Sequence, residues 1–215
     1  MPSNPRSLRQ RLFPTCHRSI LEKFLSDFLP QNISGDVLIV GAGHSPHGQL
    51  LGKNCRVTAV DIEPLPGIDI VADIRDLPLE DASFDHVLCI EVLEHIFDTQ
   101  KALNEMQRVL KPGGSMVITT PFLFHIHGDP NDFVRLSKNY FEEALSQSCE
   151  SDAFYFGNRL HVFLDLVTTA SKALAPIRLT SHFLTPLSRC LRTTSDAPSG
   201  TIVVAKKKMG LKHEI

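Results

Sequence analysis

Three acidic residues stand where short apolar stretches of the chain end. Asp61, Asp73 and Glu91 each follow such a stretch, and another, Val37–Val40, leads into the turn Gly41-Ala42-Gly43. Short apolar runs rich in β-branched residues are typical of buried parallel strands. Because ligands of open α/β sheets bind beyond the carboxyl ends of such strands, the sequence predicts that the three acids and the glycine turn meet at one crevice.

This combination of residue types suits a nucleoside. An acid after the second strand can accept hydrogen bonds from both hydroxyls of a ribose, and an acid after the third can accept one from the amine of adenine. Glycine allows positive φ and lets a ligand approach the main chain. Each residue taken alone has a plainer explanation, since acids cap helices and Gly-x-Gly occurs in many tight turns. The occurrence of all three acids and the glycine turn at the ends of successive predicted strands favours a ligand site.

Four histidines are candidate metal ligands. His125 and His127 would share a face of an extended segment, and His44 and His47 lie in the loop after the glycine turn. Histidine is a common metal ligand. No cysteine, aspartate or glutamate completes a familiar spacing with them, so we expect no metal site. We expect His95 to bind main chain or to pack at the edge of the crevice.

Strands and helices alternate along the chain, which predicts a doubly wound α/β fold with a mostly parallel sheet. A helix over 20–29 should end at Pro30, because proline cannot continue a helix. Further helices are predicted over 96–111, which Pro112-Gly113-Gly114 should stop, from a Ser137 cap to 148, over 160–174 and around 183–191. The predicted strands lie at 37–40, 57–60, 68–71, 87–90, 116–119, 154–156 and 201–205.

Composition is that of an ordinary globular protein of 215 residues with a net charge of −2. Such a charge gives no basic footprint for nucleic acid, so we expect no nucleic-acid partner. Five dispersed cysteines without a CxxC pair favour a reducing, cytoplasmic setting. Residues 1–15 are expected to form an arm and 16–215 a single domain. A helical insertion at about 158–195 is expected to pack on the sheet edge or to form a lid, a dimer contact or a membrane-surface contact, and the oligomeric state is left open.

The motifs VLIVGAG, VTAVDIE, VADIRDLPLEDASFDHVLCIEVLEHI and LNEMQRVLKPGGSMVITTPF, from about Asp36 to Phe122, resemble those of class I S-adenosylmethionine-dependent methyltransferases. The resemblance implies a Rossmann-like sheet of seven strands with an antiparallel last strand. It also implies S-adenosylmethionine as cofactor. The residues that would bind it are Gly41, Ala42 and Gly43 at the methionine part, Asp61 at the ribose, Ile62 against adenine, Asp73 and Ile74 at the adenine edge, and Glu91 beside the methionine end.

The segment PFLFHIHGDPNDFVRLS resembles a bacterial subgroup of this family that is linked to saccharide modification. The matching residues are Pro121, His127, Gly128, Pro130, Asp132 and Arg135. The segment follows a strand that points at the crevice, so it should line the acceptor site. His127 is placed to act as a general base. Asp132 could orient it, and Arg135 could bind an acidic substrate group or pair with Asp132. The alternative is that these residues only brace one another.

The expected activity is methyl transfer to an oxygen or nitrogen of a small-molecule, saccharide or lipid-linked acceptor. The chain departs from the family where Ile39 replaces an acid and Ser45 replaces a third glycine. An inactive cofactor-binding partner protein is therefore one alternative. A nicotinamide-dependent oxidoreductase is another, although the third glycine of GxGxxG is absent.

Overall fold

The computed structural model describes residues 14–43, 46–127, 131–170, 174 and 197–209. Its strands are β1 (Gly35–Val40), β2 (Cys55–Asp61), β3 (Ile70–Val71), β4 (Phe84–Ile90), β5 (Leu110–Pro121), β6 (Cys149–Phe156) and β7 (Gly200–Lys207). Its α-helices are α1 (Cys16–Asn32), α2 (Thr99–Val109), α3 (Lys138–Leu145) and α4 (Arg159–Ala170). Short 3₁₀ helices lie at Pro46–Leu50 and Leu93–His95.

The strands form one sheet in the order β3-β2-β1-β4-β5-β7-β6. Strands β1 to β5 pair in parallel, and β7 runs antiparallel between β5 and β6. Val40, at the end of β1, pairs with Val60 on one side and Cys89 on the other. The carboxyl ends of β1, β2 and β4 therefore lie at the same edge. The expected doubly wound, seven-stranded sheet with an antiparallel last strand is confirmed.

Alternating side chains of the strands build a core on each face of the sheet. In β1, Leu38 and Val40 face the layer that contains Leu103 and Met106 of α2. Val37 and Ile39 face the other layer, formed by α1. Ile39, which stands where many family members have an acid, is 5% exposed and packs in this apolar layer. An acid there would be buried among apolar side chains.

The helix boundaries differ from the predicted ones, most clearly at Pro30 and around α2. The expectation that Pro30 ends the first helix is wrong: α1 continues to Asn32, and Ile33 closes it by donating to the carbonyl of Leu29 at 3.0 Å. A proline in the last turn removes one hydrogen bond, which is too little to stop a helix whose apolar face is already buried.

The second difference lies at both ends of α2. The predicted helix from 96 begins only at Thr99, where the Asp98 side chain accepts from Lys101 N–H at 3.1 Å and caps it. The residues before it form the 3₁₀ turn Leu93–His95, which changes the direction of the chain at the crevice. The expectation that Pro112-Gly113-Gly114 stops the helix is wrong, because the helix ends at Val109 and these three residues lie in β5.

Two further bounds differ, since α3 ends at Leu145 and not at 148, and β6 begins at Cys149 and not at 154. The remaining expectations are confirmed or untested. Ser137 caps α3 as predicted, and α4 accounts for the first part of the expected insertion. The segment around 183–191, the arm 1–13 and the loop residues His44 and Ser45 lie outside the described residues. No helix in the described parts of the chain has the length and apolar character that a membrane crossing requires. Cys16, Cys55, Cys89 and Cys149 are not joined in disulfide bonds.

Candidate functional site

The glycine turn after β1 is fixed by contacts that exclude larger residues. Gly41 has a φ of 61°, and a Cβ there would lie 2.4 Å from Cγ2 of Val92. Ala42 is buried and donates its N–H to the carbonyl of Val60 at 3.1 Å. Gly43 has a φ of 48° and donates its N–H to Oδ2 of Asp61 at 2.8 Å. The turn is therefore tied to the end of β2.

Asp61 is held at that edge by main-chain donors on both sides. Its Oδ2 accepts from Gly43, and its Oδ1 accepts from Glu63 N–H at 2.9 Å. Carboxylate oxygens have lone pairs for more than one donor each, so the group can still accept from two ribose hydroxyls. Ile62 beside it is 66% exposed, which leaves its apolar side chain available to a flat ring. These two residues fit an adenosyl group.

Asp73 lies next to Asp61, since Ala72 N–H donates to the carbonyl of Asp61 at 2.9 Å. Its carboxylate is paired with Arg75, whose Nη2 lies 2.6 Å from Oδ2. These hydrogen bonds from Arg75 hold the pKa of Asp73 below its usual value. The side chain of Ile74 packs in the core and is 6% exposed. Contact of Ile74 with adenine would therefore fall mainly to its main chain.

Glu91 follows β4 in a backbone conformation that non-glycine residues seldom adopt, with a φ of 57°. Its Oε2 lies 2.8 Å from Nε2 of His17, and its Oε1 accepts from the Thr119 hydroxyl at 3.0 Å. Burial alone would raise the pKa of Glu91, but the charge and hydrogen bond of His17 outweigh burial and lower it. Burial likewise acts to lower the pKa of His17, and Glu91 outweighs it and raises that pKa.

His17 connects Glu91 to distant parts of the chain. Its Nδ1 lies 2.8 Å from the Ser199 hydroxyl. The buried carboxylate of Asp165, on α4, accepts from the main-chain N–H groups of Cys16 at 2.7 Å and His17 at 2.8 Å. Sequence reasoning missed His17 and Asp165, because nothing in their local sequence indicates a contact with residues more than 70 positions away.

The structure brings together the three residues expected at the acceptor site. Asp132 is 2% exposed at its side chain, accepts from His127 N–H at 3.0 Å and pairs with both terminal nitrogens of Arg135. The hydrogen bonds from Arg135 lower the pKa of Asp132 to about 2. Burial, followed by the charge of His95, lowers the pKa of His127. Nδ1 of His127 lies 3.4 Å from Oδ2 of Asp132, so Asp132 is placed to orient the ring.

A cavity of about 510 Å³ opens beside these residues. Its polar lining comes from Asp132 and Arg135. The rest is largely apolar and comes from the segment after β5 and from α4, with Phe122, Leu123, Phe124, Ile126, Val162 and Leu166 among the lining residues. This cavity can take an apolar group while presenting one charged pair.

Glu94 is a further candidate site residue, and the sequence analysis did not identify it. It lies in the 3₁₀ turn after β4 and is 0% exposed. Burial, and then the negative charge of Glu91, raises its pKa well above the usual value. Its Oε1 lies 3.6 Å from Nε2 of His95 and 3.9 Å from Nε2 of His127. Its position next to His95 in the EVLEHI motif could have indicated it, but the prediction from that motif named Glu91 and His95 only.

His95 binds main chain, as expected, through a hydrogen bond from its Nδ1 to the carbonyl of Asn131 at 2.5 Å. The main chain of the same segment returns to the turn after β4, where Phe133 N–H donates to the carbonyl of Glu94 at 2.7 Å. The turn after β4 and the segment after β5 therefore form one wall of the crevice.

Comparison with known proteins agrees with this geometry. Residues 38–118 match the family model described as a methyltransferase domain. A probable S-adenosylmethionine-dependent methyltransferase of Mycolicibacterium smegmatis is 34% identical over 97 residues, covering 40% of this chain and 38% of the relative. A ubiquinone biosynthesis O-methyltransferase of Xanthomonas oryzae is 33% identical over 100 residues, covering 39% and 42%. The chain thus spans less than half the length of the curated relatives that it matches.

Solved structures agree on the fold. A S-adenosylmethionine-dependent methyltransferase from Archaeoglobus fulgidus superposes with a TM-score of 0.62 over 93% of this chain and 98% of its own, at 15% sequence identity. The matched segment runs from β1 to β5 and contains the glycine turn, Asp61, Asp73 and Glu91, while the remaining strands complete the sheet in the expected order. The chain therefore resembles the class I S-adenosylmethionine-dependent methyltransferases over residues 38–118, and it shares the fold of the solved methyltransferase structure.

Proposed function

We propose that the protein transfers the methyl group of S-adenosylmethionine to an oxygen or nitrogen atom of a partly apolar acceptor. One observation carries the proposal: Gly43 donates to the Asp61 carboxylate at 2.8 Å, at the edge of the sheet where Glu91 also lies. An adenosyl ligand can lie across such an edge, with its ribose at Asp61 and its methionine part at the glycine turn.

The reaction asks the protein mainly to bind and orient. S-adenosylmethionine supplies a methyl carbon activated by a sulfonium, and the protein aligns the attacking atom with it. Asp61 would fix the ribose, Ile62 would lie against adenine, and the Asp73-Ile74 pair would meet the adenine edge. The Gly41-Ala42-Gly43 turn would leave room for the methionine chain, beside Glu91.

The acceptor site lies in the cavity next to His127. The apolar lining of that cavity favours an acceptor with an apolar portion, such as a lipid-linked molecule, and the Asp132–Arg135 pair can meet a polar portion such as a saccharide. The relative named for ubiquinone biosynthesis is an O-methyltransferase, which favours oxygen as the attacking atom. His127 is placed to activate the acceptor group. General base catalysis, as expected from the sequence, requires that its Nε2 lone pair be free to take a proton.

Cofactor binding is tested by calorimetry of the whole chain with S-adenosylhomocysteine and, separately, with NAD. We expect S-adenosylhomocysteine to bind and NAD not to bind. Binding of NAD alone would assign the protein to the oxidoreductases instead, and binding of neither would overturn the proposal.

Transfer is tested with methyl-labelled S-adenosylmethionine and bacterial lipid and saccharide extracts. We expect His127→Ala to reduce labelling by about 100-fold or more, the typical contribution of a positioned activating group, with unchanged binding of S-adenosylhomocysteine. His86→Ala is the matched control, because His86 lies at the start of β4, away from the crevice, and bonds Ser115. Equal labelling by the His127→Ala protein would reject the assignment of His127. Cofactor binding without any labelling would favour an inactive partner protein.

A further inference from the structure

We propose that Glu94, His95 and His127 form a binding site for a divalent transition-metal ion such as Co²⁺, Mn²⁺ or Zn²⁺. The three side chains come from the turn after β4 and the segment after β5, at the edge of the acceptor cavity. The role of the metal in methyl transfer rests on the proposed function, whereas the metal binding itself does not. The expectation from sequence was that no metal site exists, because no acid completes a familiar spacing with the histidines.

The three donor atoms already converge. One ligand atom from each residue lies within 4.8 Å of the other two. Glu94 Oε1 is 3.6 Å from Nε2 of His95 and 3.9 Å from Nε2 of His127. Around a metal with bonds of about 2.0–2.2 Å, neighbouring ligand atoms lie roughly 3–3.5 Å apart. Side-chain rotations that move the donors by about 1 Å therefore complete the site, with the same ligand types as the His₂Glu zinc centres.

Glu94 points into this cluster without other partners. Its carboxylate is buried, and neither oxygen has a hydrogen bond within the part of the chain that the structure describes. Burial without a hydrogen-bond partner disfavours the ionised form of a carboxylate, and a bound cation favours that form. Glu91 and Asp132 add negative charge nearby, and Arg135 is the cation that partly offsets it. A dication between Glu94 and the two histidines would neutralise the buried charge.

Both histidines are held in the orientation that metal ligation needs. Nδ1 of His95 donates to the carbonyl of Asn131 at 2.5 Å. Nδ1 of His127 faces Oδ2 of Asp132 and the carbonyl of His125, both at 3.4 Å. A ligating histidine usually donates its second ring N–H to a carboxylate or a carbonyl, which leaves the other nitrogen as the ligand. Here that other nitrogen is Nε2, the atom that faces Glu94 in both residues.

Three protein ligands leave coordination positions for the acceptor. An acceptor hydroxyl bound there would lose its proton to water more readily, because a bound cation lowers the pKa of a coordinated oxygen. The oxygen would then form the bond to the methyl carbon while the carbon–sulfur bond breaks and its electron pair stays on sulfur. In this arrangement the Nε2 lone pair of His127 binds metal, so His127 activates the acceptor through the cation and not as a base.

The test is titration of the metal-stripped whole chain with CoCl₂, followed by visible absorption, and with MnCl₂, followed by electron paramagnetic resonance. We expect one Co²⁺ per chain, with the absorption of nitrogen and oxygen coordination. Glu94→Gln and His127→Ala should each weaken binding by more than the roughly 10- to 100-fold that loss of an outer partner costs. Glu142→Gln, on the surface of α3, and His86→Ala are the matched controls and should bind as the parent does.

The outcomes distinguish failure of the metal site from failure of the proposed methyltransferase function. Failure of the parent protein to bind Co²⁺ and Mn²⁺, or binding that Glu94→Gln leaves unchanged, would overturn the metal site. Circular dichroism of each variant identifies one that has not folded, and the thermal shift of the parent with CoCl₂ then decides, since a ligand of the folded state raises the melting temperature. S-adenosylhomocysteine binding is measured on the same samples, so loss of the metal site leaves the methyltransferase proposal standing, and the reverse also holds.

Discussion

Two regions of the crevice are built in different ways. The first, called the cofactor edge, is the edge of the sheet with the Gly41–Gly43 turn and Asp61, and the second, called the acceptor wall, is formed by the turn after β4 and the segment after β5. At the cofactor edge, the contacts that set geometry involve the main chain: Gly43 N–H and Glu63 N–H hold Asp61, and Ala72 N–H joins the third strand to the second. At the acceptor wall, contacts between side chains set most of the geometry. Asp132 holds Arg135, faces His127 and lines an apolar cavity, while the Glu94 carboxylate makes no hydrogen bond among the described residues.

The difference shows which part of the candidate site has its geometry set by main-chain donors and which part has it set by side chains. Main-chain donors cannot be exchanged by point substitution, so the cofactor edge is fixed by the fold itself. A wall made of side chains can be altered residue by residue without loss of the sheet. Acceptor specificity is therefore expected to lie in the segment after β5 and in α4. Both lie beyond the residues 38–118 that match the methyltransferase domain.

The largest expected effect breaks the cofactor edge at Gly41. In Gly41→Ala, the new Cβ would lie 2.4 Å from Val92 at a φ of 61°. We expect the free energy of unfolding to fall by about 2–5 kcal/mol, from left-handed strain of about 1–2 kcal/mol and overpacking of about 1–3 kcal/mol. Gly67→Ala is the matched control: its φ is 90° and nothing lies within 4 Å, so only the strain should appear. Chemical denaturation measures both, and equal losses would show that the Val92 contact does not matter.

The next effect tests whether Asp61 binds ligand or only supports the turn. Asp61→Asn keeps the shape but loses the charge, and we expect binding of S-adenosylhomocysteine to weaken about 10- to 100-fold, the equivalent of about 1.5–3 kcal/mol for a charged hydrogen bond. Asp27→Asn, on an exposed part of α1, should leave affinity unchanged. Unchanged affinity in Asp61→Asn, measured by calorimetry, would remove Asp61 from the cofactor site.

A smaller effect on stability is expected at the contact between α4, which lines the cavity, and α1, which carries the His17 that bonds Glu91. Asp165→Asn removes the carboxylate that accepts from two N–H groups at the start of α1. We expect the free energy of unfolding to fall by about 1–2 kcal/mol, as for loss of a helix cap. Asp152→Asn, on an exposed position of β6, should stay within about 0.5 kcal/mol of the parent. Equal stability of the two variants in urea would mean that the α1–α4 contact contributes nothing.

The smallest effect is a pH dependence of stability from the His17–Glu91 pair. The raised pKa of His17 means that its contribution is complete below about 6.5 and is lost as pH rises through the folded-state value. The lowered pKa of Glu91 means that its contribution is present above about 4.5 and is lost as pH falls through its folded-state value. The pair therefore stabilises most between those limits. We expect thermal melts of His17→Gln to lack the parent's decline above pH 6.5, and parallel profiles would contradict the pairing.

Sequence predicted the positions of the glycine turn and the acids at the strand ends well, because the determinants of these positions are local. Short apolar runs followed at once by Gly41, Asp61 and Glu91 place these residues at strand ends whatever the rest of the chain does. The loop residues His127, Asp132 and Arg135 were also found, since they lie within one segment.

What the sequence did not predict depends on contacts between distant segments. The approach of Glu94 to His127 needs the turn after β4 to meet the segment after β5, and the bond of His17 to Glu91 needs α1 to dock on the sheet. Helix ends were missed at Pro30 and before Thr99 for a related reason: burial of α1 outweighs the proline, and the 3₁₀ turn at Leu93–His95 interrupts the apolar periodicity.

The Asp165 carboxylate has a consequence for how occupancy of the crevice could be read. It accepts from the amides of Cys16 and His17, and the imidazole of His17 holds Glu91, so three segments far apart in the chain share one buried chain of hydrogen bonds. A ligand that restrains Glu91 would slow deuterium uptake at those two amides. The start of α1 would then report on the crevice through the side chain of His17.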